Sequence, residues 1–70
     1  MDTTLSLYRI FYTVAQYGSI SAAARHLYIS QPAISKSISN LENELQTHLF
    51  ERTSRGVSLT EEGQLLFHHV

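Results

Sequence analysis

Between Ser30 and Asn43 the sequence reads SQPAISKSISNLEN, and helical spacing brings Pro32, Lys36, Ser39 and Asn43 onto one line, flanked by Ser35 and Asn40. At 3.6 residues per turn this line lies opposite Ile34, Ile38, Leu41 and Leu45. A wetted helix face usually mixes Glu and Lys. This one has a single cation, no acid, and otherwise short donors and acceptors. With Gln31 at its start, such a face suits hydrogen bonding to something polar and anionic. The plainer reading is a stripe that is merely solvated, the usual state of a polar helix face. Further along, Arg52 and Arg55 add two cations. Arg52 has a second use open to it, pairing with Glu51 or Glu61, while Arg9 and Arg25 read first as solubilising surface groups, with a phosphate contact as the lesser alternative.

Other chemistries find no support. His68 and His69 are adjacent, so they diverge by about 100° on a helix and lack the i, i+4 spacing of a chelate. His26 and His48 are isolated. The absence of cysteine excludes disulfides, thiolate zinc sites and a cysteine nucleophile. No serine has a His and Asp arrangement around it, and Gly18, Gly56 and Gly63 form no phosphate-cradling loop. The expectation is a non-enzyme with no metal and no cofactor.

The 70 residues are enough for one domain, near the lower limit for folding without disulfides or metal. Hydrophobic residues make up 43% and charged residues 16%, which allows a modest core. No apolar run approaches the roughly 18 residues of a membrane helix. Met1-Asp2-Thr3-Thr4 does not open a signal peptide. A cytoplasmic module with no membrane partner is expected. The net charge of −1 argues mildly against nucleic acid, but position matters more than the sum. Residues 1–41 carry Arg9, Arg25 and Lys36 against Asp2 alone, and the remaining acids follow from Glu42 onward. That asymmetry allows one weakly basic face.

The elements that must position these residues follow from apolar spacing. Leu7, Phe11 and Val14, with Tyr8 and Ala15 beside them, predict a first helix over about 5–17, with Gly18 as its C-terminal stop. Ser19 and Ser21 are both candidate N-caps for a short alanine-rich helix over about 21–28, with Ala23, Ala24 and Leu27 facing inward. Tyr28-Ile29 is a short connection. Ser30 caps a third helix over about 31–46, with Pro32 in its first turn, where a missing N–H costs little. Leu49–Arg52 and Val57–Thr60 alternate like strands around a turn at 53–56, so Arg55 sits at a hairpin tip. Thr60 caps a last helix with Glu61 and Glu62 in its first turn, and Gly63 weakens it. Leu65, Leu66, Phe67 and Val70 are apolar around much of that helix, which points to a shortened chain or a dimer interface.

Three helices followed by a two-stranded wing describe a mainly α fold, the winged helix-turn-helix. A turn of about three residues between the second and third helices leaves the N-terminal face of the third one projecting. In such folds that helix enters the major groove of DNA. The Ser30 end offers backbone N–H groups to a phosphate, Gln31 suits adenine edges and Lys36 suits guanine O6 or N7. Pro32 is a helix starter with an added apolar contact to a thymine methyl in reach. Ser35 and Ser39 suit bases or phosphates, and Arg52 and Arg55 suit phosphates or a narrow minor groove.

The same residues carry a family resemblance. Ser19-Ile20-Ser21, Ala23-Ala24, Leu27, Ser30 through Ser35, Ile38, Leu41-Glu42, Leu45, Leu49 through Arg52, Arg55 and Leu59 through Gly63 resemble the signature of LysR-type transcriptional regulators. The match covers essentially the whole chain. It implies a bacterial DNA-binding domain, with Gln31, Pro32, Ser35 and Lys36 at base-contacting positions and Arg52 and Arg55 on the wing. It also implies that Leu65, Leu66 and Val70 lie on a linker helix that pairs two subunits. In that family an effector-binding domain follows; it is absent from these residues, so a small-molecule effector is expected only there. Three positions depart from the pattern. Lys36 stands where arginine is frequent and lacks the planar fork that reads guanine bidentately. Gln46-Thr47 replaces a common glycine, so a different helix ending is expected, and Glu62 replaces a frequent alanine.

The expected organisation is a winged helix-turn-helix over 3–60, with the helix-turn-helix at about 20–39, the wing at about 49–60 and the start of a linker helix at 61–70. The expected role is sequence-specific binding of double-stranded DNA at an interrupted inverted repeat, by a homodimer joined through the C-terminal helix. The rival is a winged-helix interaction module that dimerises or binds protein without touching DNA.

Overall fold

The computed structural model describes residues 3–54 and 56–69, with side chains from Ser6 onward. Its elements run α1 (Thr3–Tyr17), α2 (Ile20–Leu27), α3 (Gln31–Leu45), β1 (Phe50–Thr53), β2 (Gly56–Leu59) and α4 (Glu61–His69). This is the expected winged helix-turn-helix, with a fourth helix closing the described chain.

The core forms where the apolar stripes of α1, α2 and α3 converge. Phe11, Val14, Ala23, Ile34 and Leu41 are fully buried, and Leu49, just before β1, joins them. Burial of each large member stabilises the fold by roughly 1.5–3 kcal/mol. Ala23 and Ala24 end at Cβ, which lets α1 and α3 close on the short α2. Leu45, the last residue of the α3 stripe, is exposed instead of buried. The helix runs past the end of the core, so the stripe outlasts what it has to cover.

Helix ends are set locally. Gly18 takes a positive φ after α1, and its N–H donates to the Val14 carbonyl. Of the two candidate caps for α2, Ser19 is the one used: its Oγ accepts from the Ala22 N–H at 3.1 Å, while Ser21 lies inside the helix. Ser30 caps α3 by accepting from the Ala33 N–H at 3.3 Å. Two non-glycine residues end helices in the left-handed conformation, Tyr28 (φ 58°, ψ 42°) after α2 and Gln46 (φ 52°, ψ 47°) after α3. Each costs about 1 kcal/mol relative to glycine.

The wing is one residue out of the expected frame. Phe50 pairs with Leu59 and Thr53 with Gly56, antiparallel, so both ends of the turn expected over 53–56 belong to the strands. The wing is moored at both ends. The Val57 N–H donates to the Gly18 carbonyl at 3.2 Å, and a Cβ on Gly56, which has φ 135°, would overlap that same carbonyl oxygen. At the other end Thr60 Oγ1 accepts from the Gly63 N–H at 3.0 Å and donates to the His48 carbonyl at 2.6 Å, capping α4 onto the root of the wing.

Gly63 is therefore more than a weak point in α4. It is buried, and a Cβ there would overlap the Leu49 carbonyl oxygen. The residue that lowers intrinsic helix propensity is the one that allows α4 to lie against the chain entering β1. From there Leu66 and Phe67 pack on the core, and the Phe67 ring stacks on Tyr12 with centroids 4.9 Å apart.

Candidate nucleic-acid interface

The outward face of α3 is the one its sequence describes. Gln31, Pro32, Lys36, Ser39, Asn40 and Asn43 are exposed, and Ile34, Ile38 and Leu41 on the opposite side are buried. Ser30 and Pro32 begin the helix, Ser30 through its capping hydroxyl. The Gln31 amide Nε2 donates to Ser21 Oγ at 3.4 Å, which links the start of α3 to the start of α2. Lys36 has no carboxylate partner among the described residues. From Thr3 to Leu41 the chain has no acidic residue, so the acids of α3 are confined to its C-terminal end, at Glu42 and Glu44.

The wing adds a second side to this face. Arg52 lies on β1, exposed, and its guanidinium donates to Ser35 Oγ at 3.4 Å. Among the described residues it pairs with neither Glu51 nor Glu61. The contact joins the wing directly to α3 and holds a cation beside Ser35. Arg55 lies outside the described residues. Ser35 itself is half-buried, so it presents less of its surface than the other members of the face.

One residue that fixes this geometry escapes sequence reading. Glu42 looks like an ordinary flank residue of α3. Its carboxylate instead accepts from the backbone N–H groups of Leu49 at 2.8 Å and Phe50 at 3.3 Å, and its Oε2 lies 3.7 Å from His48 Nδ1. It thus pins the root of the wing to α3. No spacing rule announces a contact between a side chain and a backbone seven residues away across a helix end.

At the far end of the chain the expected interface residues divide. Leu65 is 61% exposed. Leu66 is half-buried against the core, and Val70 lies outside the described residues. Among the described residues there is no group of His, Asp or Glu side chains arranged to hold a metal ion. No described helix is long and apolar enough to cross a membrane.

Residues 5–64 match the protein family described as bacterial regulatory helix-turn-helix protein, lysR family. The chain belongs to the LysR family. Among its LysR-family relatives, an uncharacterised HTH-type transcriptional regulator, y4mQ of Sinorhizobium fredii, is 51% identical over 67 residues, covering 96% of this chain and 22% of that protein. Two solved structures of isolated DNA-binding domains superpose over 99% of this chain. The BenM domain in complex with catB site 1 DNA has a TM-score of 0.88 at 39% identity, with 75% of that chain covered. The CbnR domain in complex with DNA has a TM-score of 0.89 at 35% identity, with 77% covered. The chain spans about a fifth of the length of the curated LysR-family relatives it matches. The three departures from the LysR pattern have different consequences. Lys36 stays exposed on the α3 face. Gln46 ends α3 in the left-handed conformation that glycine takes most readily. Glu62 sits exposed in the first turn of α4.

Proposed function

We propose that this chain is the DNA-reading part of a transcriptional regulator, with α3 as the helix that enters the major groove. The carrying observation is the exposed, acid-free face of α3 with Arg52 tied to its edge, in a LysR-family fold that other proteins bring to DNA. In this reading Gln31 and Lys36 make the base contacts that choose sequence. Pro32 packs against a base edge, and Ser30, Ser35 and Ser39 hydrogen-bond bases or phosphates. Arg52 and Arg55 bind the neighbouring backbone or minor groove. Phosphate contacts supply most of the affinity and α3 the specificity.

The regulator acts as a homodimer on an interrupted inverted repeat. Leu65 is the exposed apolar side chain at the subunit contact, and Leu66 and Val70 extend it along the helix begun by α4. Its place is the cytoplasm, its role involves no catalysis, and a small-molecule effector acts through the part of the protein beyond these residues. The rival reading, a module that binds only protein, drew on the net charge of −1. The acids behind that value all lie at Glu42 or later apart from Asp2, and Glu42 is spent on the wing root.

The test is a titration of duplex DNA with the chain at several salt concentrations. Affinity is expected to fall steeply as salt rises. Lys36→Ala or Gln31→Ala is expected to cost about 1–3 kcal/mol on a preferred duplex and to relax base preference. Variants that bind preferred and random duplexes just as the parent does would remove α3 from the groove.

A further inference from the structure

α3 and the wing do not close fully on each other. Between them lies a partly enclosed cleft of about 240 Å³. Its helix wall is Ser35, Ile38, Ser39 and Glu42, one strip of α3 at i, i+3, i+4 and i+7. Its wing wall is Phe50, Arg52 and Val57. Arg52 and Val57 are cross-strand partners, and Phe50, two residues before Arg52, shares their side of the hairpin. Buried Val14 forms the base. The gap has a plain cause: longer side chains on α3 would fill it, and Ser35 and Ser39 end at Oγ.

The lining specifies an occupant. Ligand sites are mainly apolar surfaces with a few placed polar groups, commonly of about 300–1,000 Å³. This cleft is smaller, so it takes a small molecule. Ile38, Phe50 and Val57 supply an apolar interior, and Phe50 supplies a ring against which another ring packs. Two facing walls, a helix strip and a hairpin face, favour a planar body between them. Arg52 stands at one end with a long contact, 3.4 Å to Ser35 Oγ, and no carboxylate partner among the described residues. Guanidinium and hydroxyl donors together suit a carboxylate. Glu42 stands at the other end, roughly 10 Å along the helix axis from Ser35. Its carboxylate is already held by the Leu49 and Phe50 N–H groups, with exposed His48 3.7 Å away. It needs nothing from a ligand, and it repels a second negative charge.

We propose that this cleft binds a small planar aromatic monocarboxylate. The carboxylate sits on the Arg52 guanidinium and accepts from the Ser35 and Ser39 hydroxyls. The ring lies inward against Ile38, Phe50 and Val57, away from Glu42. Occupancy withdraws Arg52 from a DNA phosphate and wedges the wing off α3, so it lowers affinity for DNA. The site itself needs no DNA; its effect on DNA rests on the DNA-binding reading above.

The probe is benzoate, titrated into the isotope-labelled chain at about pH 8, above the range in which histidine takes up a proton. Amide chemical shifts report binding, with acetate at equal ionic strength as the blank. Saturable shifts are expected at Ser35, Ser39, Phe50, Arg52 and Val57, with a dissociation constant on the order of 1 mM, the strength open to so small a ligand. Benzamide, which is neutral, and terephthalate, which is a dianion, are expected to bind about tenfold more weakly. Cyclohexanecarboxylate, with the same charge and no flat ring, is also expected to bind more weakly. Arg52→Gln is expected to weaken benzoate by roughly three- to tenfold, with a parental melting midpoint because Arg52 is exposed. For a duplex enriched from a randomised pool, benzoate at ten times its dissociation constant is expected to lower the parent's affinity by up to roughly tenfold relative to acetate. In Arg52→Gln that loss should shrink.

No saturable shift in the cleft, or equal binding of benzamide, would overturn the site. Terephthalate bound as tightly as benzoate would remove Glu42 from the selection, and cyclohexanecarboxylate bound as tightly would remove the planar assignment. Benzoate bound in the cleft with parental DNA affinity would overturn the coupling and leave the DNA-binding reading standing. Benzoate bound in the cleft of a folded chain that binds no duplex would keep the site and overturn the DNA-binding reading.

Discussion

The helix-turn-helix and the wing with α4 are built by different means. The first is held by apolar stripes and by caps a few residues from what they cap: Ser19 on Ala22, Ser30 on Ala33, and Ile34, Ile38 and Leu41 in line. The second packs Phe50, Val57, Leu59, Leu66 and Phe67 on that core and adds ties between distant backbones and side chains. Glu42 grips Leu49 and Phe50, Val57 hangs from Gly18, Thr60 reaches His48, and Gly63 lies against Leu49. The proposed DNA-reading surface draws on both, since Arg52 of the wing meets Ser35 of α3 at 3.4 Å. A helix face is placed by burial, and a cationic arm is set against it by a few directed hydrogen bonds.

The largest expected effect breaks the first region. Ile34→Ala empties a fully buried site shared by the helices and should cost about 2–5 kcal/mol. In a domain of this size that lowers the thermal midpoint by roughly 10–30 °C, measurable by circular dichroism, with all elements lost together.

A smaller and local effect separates the second region. Glu42→Ala leaves two backbone N–H groups at the wing root without their acceptor, at a cost of about 1–3 kcal/mol. Amide hydrogen exchange should accelerate at Leu49 and Phe50 and through β1 and β2, while α1 to α3 keep their parental order. Glu42→Gln, which retains one acceptor oxygen, should lose less. Uniform acceleration over the whole chain would mean that the wing is no separate unit.

The smallest effect is a gain. Gln46→Gly removes the left-handed penalty at the end of α3 and should add about 1 kcal/mol or less, seen as a rise of a few degrees in the melting midpoint. A fall would show that the Gln46 side chain makes a stabilising contact that outweighs its backbone strain.

This division also explains what could be read from the sequence. The period of Leu7, Phe11 and Val14, the alanines at 23 and 24, and Pro32 behind Ser30 are local signals, and they located α1 to α3 within a residue or two at each end. The exposed face of α3 followed from the same period. The choice of Ser19 over Ser21 as cap did not, since both residue types suit the position and only the path of the chain from Gly18 decides between them. Leu45 was misplaced because periodicity marks a stripe without marking where its cover ends. Glu42, Gly63 and the left-handed Tyr28 were not legible in their roles. Their partners or constraints come from chain segments that only the folded topology brings together, or from a backbone conformation that a tyrosine does not announce.

In the proposed function a pair of these chains reads DNA through α3. The most direct measurement is selection from a pool of randomised duplex DNA by the dimeric protein, at two salt concentrations. Enrichment of an inverted repeat with half-sites about one helical turn apart is the expected result, with weaker recovery at the higher salt. A pool that stays random at low salt, from protein shown to be folded and dimeric, would contradict it.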